Sequence, residues 1–104
     1  MVRKITARGL NRNLGNQAWL QRDGIIGNSR YIDGRTREGQ VFGVLDIDEE
    51  GNYFVKPFIT VWEDGKGMKI DKEHFYDQRY YLRNEDVLSS GKGSFIVSGL
   101  ENSA

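Results

Sequence analysis

Val41-Phe42-Gly43-Val44-Leu45-Asp46-Ile47 and Tyr53-Phe54-Val55-Lys56-Pro57-Phe58-Ile59-Thr60-Val61-Trp62 are two apolar runs separated by Asp48-Glu49-Glu50-Gly51-Asn52. Both runs are rich in β-branched and aromatic residues, which suit a pleated, half-buried surface. The intervening five residues are turn formers, with a Gly and an Asn that tolerate positive φ. The spacing predicts a β-hairpin. Its first strand is apolar on both faces, Val41, Leu45 and Ile47 on one and Phe42 and Val44 on the other. A strand covered on both sides is expected in a barrel or a sandwich. Pro57 has no N–H for a ladder, so the second strand is expected to lie at an edge, or to bulge, near that point.

Outward from this unit, Gly punctuates the chain thirteen times. Many Gly between short apolar runs mark turns between strands. Glu63 to Gly67 reads as a turn and Met68 to Lys72 as a return strand. His74 to Leu82 fits either a strand or a helical face, with Arg79 to Arg83 read as strand. Asn84 to Ser89 reads as one helical turn capped by Asn84. Gly91-Lys92-Gly93 ends it, and Ser94 to Leu100 is a last strand. Toward the N-terminus, Val2 to Ala7 and Ala18 to Gln21 are strand candidates. Arg8 to Gln17 reads as loop and Asp23-Gly24 as a turn. Ile25-Ile26 and Tyr31-Ile32 read as core anchors in irregular structure, and Arg35 to Gly39 as an exposed charged connection. The expected fold is all-β, or β-rich with one short helix: a small SH3-like or OB-like barrel, or a sandwich, of five to seven short antiparallel strands. The likeness is architectural, and architecture alone does not give function.

With 104 residues the chain fits one domain, 1–104, with 1–39 basic and loop-rich and 40–100 strand-rich. Five Phe, five Tyr and two Trp supply the core. The absence of Cys removes disulfides, thiolate metal sites and thiol nucleophiles together. No apolar run approaches the roughly 20 residues that cross a bilayer, and Ile5 to Gly9 is no signal-peptide core. These features are read as a cytoplasmic protein without a membrane anchor. Net charge is zero but uneven. Residues 1–39 carry eight bases against three acids, net +5, and 40–104 carry seven against twelve, net −5.

The motifs for chemistry are incomplete. His74 is the only His, and no Ser stands in a Gly-x-Ser-x-Gly elbow. Asp71, Glu73, His74 and Asp77 are legitimate ligand types at no established metal spacing. Asp46-x-Asp48-x-Glu50-Gly51 begins like a calcium loop, but Pro57 stands where its twelfth-position Glu belongs. Gly91-Lys92-Gly93-Ser94 lacks the upstream Gly of a phosphate loop. No cofactor or metal is expected.

Two surface readings follow. An acidic tip of Asp46, Asp48, Glu49 and Glu50, with Glu63 and Asp64, suits a basic partner surface. A basic and aromatic set of Trp19, Arg22, Arg30, Tyr31, Arg35, Arg37, Tyr76, Arg79, Tyr81 and Arg83 suits single-stranded nucleic acid, with rings for bases and guanidinium groups for phosphates. Alternation puts Arg79, Tyr81 and Arg83 on one strand face and Tyr80 and Leu82 on the other. The first expectation is a non-enzymatic interaction module that docks on a larger macromolecule, most naturally a protein, as an inhibitor, assembly or structural subunit. A single-stranded nucleic-acid binder comes second. An enzyme or small-ligand binder with a site assembled from distant residues comes last.

Overall fold

The central hairpin forms as its residues imply. The computed structural model of the chain describes residues 3–28, 30, 36–65 and 68–101, between 61 and 75 by backbone alone. Strands β1 (Arg3–Ile5), β2 (Gln17–Asn28), β3 (Thr36–Ile47), β4 (Tyr53–Gly65), β5 (Met68–Phe75), β6 (Tyr80–Tyr81), β7 (Val87–Ser90) and β8 (Gly93–Val97) are accompanied by one short helix, α1 (Ala7–Arg12). β3 and β4 pair antiparallel with Ile47 opposite Tyr53, Leu45 opposite Val55 and Gly43 opposite Pro57. Asp48 Oδ1 closes the turn between them by accepting from the Glu50 and Asn52 N–H groups, each at 2.9 Å. Gly51 takes φ 86° there, a conformation that Gly adopts without strain.

Pro57 marks the point where β4 exchanges neighbours. Phe54 and Val55 pair with Tyr81 and Tyr80 of β6, whereas Phe58 to Gly65 pair with β5. The Pro57 carbonyl accepts from the Tyr76 N–H at 2.9 Å on that same edge. In an antiparallel ladder the N–H and C=O of one residue face the same way. The missing N–H of Pro57 therefore falls in the gap between β6 and β5, where no ladder needs it.

The sheet runs in the order β1-β8-β7-β2-β3-β4-β5, with β6 pairing β4 beside that path. All pairs are antiparallel except β1 with β8. Tyr53 Oη, on β4, donates to the Ala7 carbonyl just beyond β1, and Tyr80 Oη, on β6, donates to the Ile26 carbonyl on β2. The sheet must curl for these contacts to form. It wraps one core of Ile5, Leu10, Ala18, Leu20, Val41, Leu45, Tyr53, Val55, Leu82, Leu88 and Val97. Each fully buried aliphatic there is worth roughly 1.5–3 kcal/mol of transfer free energy. A side-chain cluster just beyond the β2–β7 ladder, which ends at Gln21 opposite Val87, reinforces the curl. Arg22 donates from Nε and Nη2 to the two carboxylate oxygens of Asp86, at 2.8 and 2.6 Å, and from Nη2 to the Tyr81 carbonyl at 2.8 Å. Asp86 also accepts from the Arg83 N–H at 2.7 Å. β2 is thereby clasped to the connection between β6 and β7.

The outer face of the same strands carries a second aromatic layer. Trp19 stands opposite Phe42 in register, with ring centroids 4.7 Å apart, and Phe42 lies 5.1 Å from Phe58. Asn28, buried, donates from Nδ2 to the Phe42 and Phe58 carbonyls, tying β2 to β3 and β4 at once. β3 is thus covered on both faces, as its composition implies.

Several local expectations change. The helix lies at Ala7–Arg12, where a loop was expected, because only Leu10 is buried on it and six residues give no periodicity to read. In place of a helical turn over 84–89, Asn84 and Glu85 form a turn and Val87 to Ser89 belong to β7. Asn84 does not cap a helix there. It brackets Leu100, donating from Nδ2 to its carbonyl at 3.0 Å and accepting its N–H at 2.9 Å. Asp23-Gly24 is a bulge within β2, where the register shifts between Gln21 and Ile26 and Gly24 takes φ 78°. Ile25 packs against the core, but Ile26 is 55% exposed. Thr36 to Gly39 belong to β3. Glu63 and Asp64 belong to β4, opposite Ile70 and Lys69, and not to a turn. Among the described residues no helix is long and apolar enough to cross a membrane.

Candidate interaction groove

The β3–β4 turn, β6 and the segment after β8 enclose an open groove of about 1070 Å³. One wall is Asp48, Glu49, Glu50, Gly51 and Asn52. Arg79, Tyr81 and Arg83 contribute from β6 and its flanks, Gly99 to Glu101 from the C-terminal side, and Ala7 from the start of α1. Ile47, Tyr53, Leu82 and Leu100 supply its apolar part.

Each wall is fixed by local chemistry. Tyr53 Oη shares its single hydrogen between Asn11 Oδ1, at 2.6 Å, and the more distant Ala7 carbonyl, at 3.2 Å, which seats α1 against β4. The Asn84 bracket holds Leu100 in place. Tyr81, 41% exposed, stands opposite Phe54 in register, with ring centroids 5.5 Å apart. Its hydroxyl donates to Asp48 Oδ2 at 3.0 Å. The Arg79 guanidinium lies over the Phe54 ring, 4.6 Å from its centroid, a cation–π arrangement.

The electrostatics follow from these contacts. The Asn52 N–H holds the Asp48 carboxyl below the usual carboxylate range, assisted by the Tyr81 hydroxyl and the Glu50 N–H against a smaller desolvation. The Tyr81 hydroxyl raises Arg79 above its ordinary value, with Asp48 and Asp46 adding to the effect. Arg22 is likewise raised, by its hydrogen bonds to Asp86. Asp48 and Arg79 are therefore committed charges within the protein. Among the described residues Glu49, Glu50, Glu101 and the Arg83 guanidinium have no ion pair and no side-chain hydrogen bond.

The two residue sets read separately in the sequence meet here. Asp48, Glu49 and Glu50 share the groove with Arg79, Tyr81 and Arg83, and Asp46 stands exposed on β3 opposite Phe54. Glu63 and Asp64 lie elsewhere, on the β4–β5 hairpin. The basic and aromatic set is dispersed. Trp19 and Arg30 lie at the outer aromatic layer, where the Arg30 guanidinium is 5.5 Å from the Phe42 centroid. Arg37 is half-buried on β3 opposite Gly27. Tyr76 is exposed beyond β5. Arg22 is the clasp on Asp86. Tyr31 and Arg35 lie outside the described residues.

Sequence reading did not single out Glu101 or Asp86, and it read Asn84 only as a helix cap. The partner of Asp86 is 64 positions away, and no local pattern announces such a pair. Comparisons with protein-family models, with curated proteins and with solved structures give no match to this chain.

Proposed function

We propose that the chain is a non-enzymatic interaction module, of the inhibitor, assembly or structural-subunit type, that docks on a protein assembly in the cytoplasm through this groove. One observation carries the reading: unpaired carboxylates and an unpaired guanidinium line a groove whose walls are held rigid by the Asp48 turn, the Tyr81 hydroxyl and the Asn84 bracket. Preorganised mixed charge suits selection of a partner by complementary potential. Single-stranded nucleic acid fits the same groove poorly. Glu49, Glu50 and Glu101 stand beside Arg79 and Arg83 and oppose a phosphate backbone.

The test uses the full chain. A labelled single-stranded oligonucleotide is titrated at low and at physiological salt, and wild type and Glu49→Lys/Glu50→Lys are compared as bait in cross-linking capture of protein partners. The expected outcome is no oligonucleotide binding and loss of the captured partner on charge reversal. Oligonucleotide binding with a steep salt slope that Arg79→Ala/Arg83→Ala abolishes would overturn the proposal in favour of the nucleic-acid reading.

A further inference from the structure

The groove is bordered by the opposite charge. Ala7 lines it and Asn11 faces Tyr53, so these two positions, i and i+4, form the stripe of α1 turned toward the groove. Arg8 and Arg12 occupy the neighbouring stripe, about 100° around the helix. Both are exposed, as are Arg3 and Lys4 on β1. Among the described residues none of these four cations has an ion pair or a side-chain hydrogen bond. Unpaired cations on α1 thus stand one stripe away from a groove in which Glu49, Glu50 and Glu101 are also unpaired. The +5 and −5 parts of the chain do not neutralise each other at this place.

A patch of this kind is complementary to itself. In a two-fold pair, residue i of one copy meets residue j of the other, and j meets i. Rotating one copy about an axis through the groove sets its Arg8 and Arg12 against the acidic turn of its partner, and returns the same contact in the other direction. Both guanidinium groups can meet carboxylates in the bidentate geometry that Arg favours.

We propose that the first occupant of the groove is a second copy of this chain, in a two-fold dimer in which Arg8 and Arg12 of each protomer face Glu49, Glu50 and Glu101 of the other. The proposal rests on the reading of the groove as a docking site and names its partner. A contact made of exposed charges is reversible and weakens with salt, because screening at about 0.15 M already acts over roughly 8 Å.

The experiment is sedimentation equilibrium of the full chain at about 20 mM and about 500 mM salt, a range over which the screening length falls several-fold. It is run on wild type, on Arg8→Glu/Arg12→Glu, on Glu49→Lys/Glu50→Lys, and on an equimolar mixture of the two variants. Circular dichroism and a thermal melt establish that each variant is folded. Wild type is expected to dimerise at low salt and dissociate at high salt. Each variant alone is expected to be monomeric, since like charges then face each other. The mixture is expected to regain the dimer, because each variant supplies the charge that the other lacks. A monomeric wild type at low salt, variants that still dimerise, or a mixture that stays monomeric would each overturn the proposal. If the mixture stays monomeric while Glu49→Lys/Glu50→Lys still loses a captured foreign partner, the dimer falls and the interaction-module reading stands. Should a variant fail to fold, Arg8→Gln/Arg12→Gln and Glu49→Gln/Glu50→Gln replace the reversals, and at least a ten-fold weakening of the dimer is expected from each.

Discussion

Asp86 is 3% exposed and sits against the Arg22 guanidinium. It is tolerated because every partner is in place: two N–H groups of Arg22 and the backbone N–H of Arg83. Removing one member of a buried, hydrogen-bonded pair typically costs about 3–5 kcal/mol, because the other charge is left without compensation. Asp86→Ala is therefore expected to lose about that much, read as a shift of the urea midpoint with unchanged slope. A loss under about 1 kcal/mol would mean that the Arg22–Asp86 pair does not hold β2 to the β6–β7 connection. Asp48 makes a different prediction. Its folded carboxyl titrates below its ordinary value because the Asn52 N–H, then Tyr81 and the Glu50 N–H, favour the ionised form. A depressed carboxylate contributes stability above its unfolded pKa and loses it as pH falls through the folded value. The turn is expected to weaken below the ordinary carboxylate range. Asp48→Asn should flatten that acid limb in melts recorded at successive pH values, and an acid limb identical to wild type would remove Asp48 from the account.

At the scale of elements, two glycines hold β2, β3 and β4 together at close quarters. A Cβ on Gly43 would lie 2.2 Å from the Lys56 carbonyl oxygen, and one on Gly27 would lie 2.1 Å from that of Gln40. Backbone oxygens in a ladder cannot step aside as a side chain can. Gly43→Ala is expected to cost about 3 kcal/mol or more through overpacking. Gly91→Ala, with nothing within 4 Å and no positive φ, should stay within about 0.5 kcal/mol. Equal melting temperatures for the two variants would show that β3 and β4 do not cross this closely. These glycines also mark how far the sequence can be read. The hairpin was legible because composition, alternation and turn chemistry agree over twenty residues. The exposure of Arg79, Tyr81 and Arg83 against buried Leu82 was legible from alternation alone. Helix α1 was not, because a single buried Leu10 carries no period. Residues 84–89 misled because Asn84 followed by acids is a fair capping signal, whereas its side chain is taken by Leu100 sixteen positions away.

The whole molecule extends 50 × 29 × 26 Å, longer than a sphere of this chain length. Its radius of gyration of 14.5 Å exceeds the roughly 13 Å expected of a compact domain of about 100 residues. Part of that length follows from the ladders. Among the described residues, β4 is bonded to β3 through residues 53–57 and to β6 at 54 and 55, yet it runs on to Gly65. Among the described residues, β4 pairs from Val61 to Gly65 with β5 alone, and β5 ends the strand order. A two-stranded ribbon without a further layer is marginally stable at best. Its hydrogen bonds should therefore open at a lower free energy than those of β2, β3 and the inner part of β4, which are paired on both sides or packed on the main core. Native-state hydrogen exchange of the full chain reads this directly. Amides of Leu20, Val41, Leu45 and Val55 are expected to exchange only through global unfolding. Those of Val61 to Gly65 and Met68 to Asp71 are expected to exchange faster by ten-fold or more, a gap of about 1.4 kcal/mol. Uniform protection along β4 would instead mean that the ribbon is covered. If that protection fell on dilution, the cover would be another copy. If it were independent of concentration, the cover would lie within the chain itself, and the ribbon would belong to the same cooperative unit as the curled sheet.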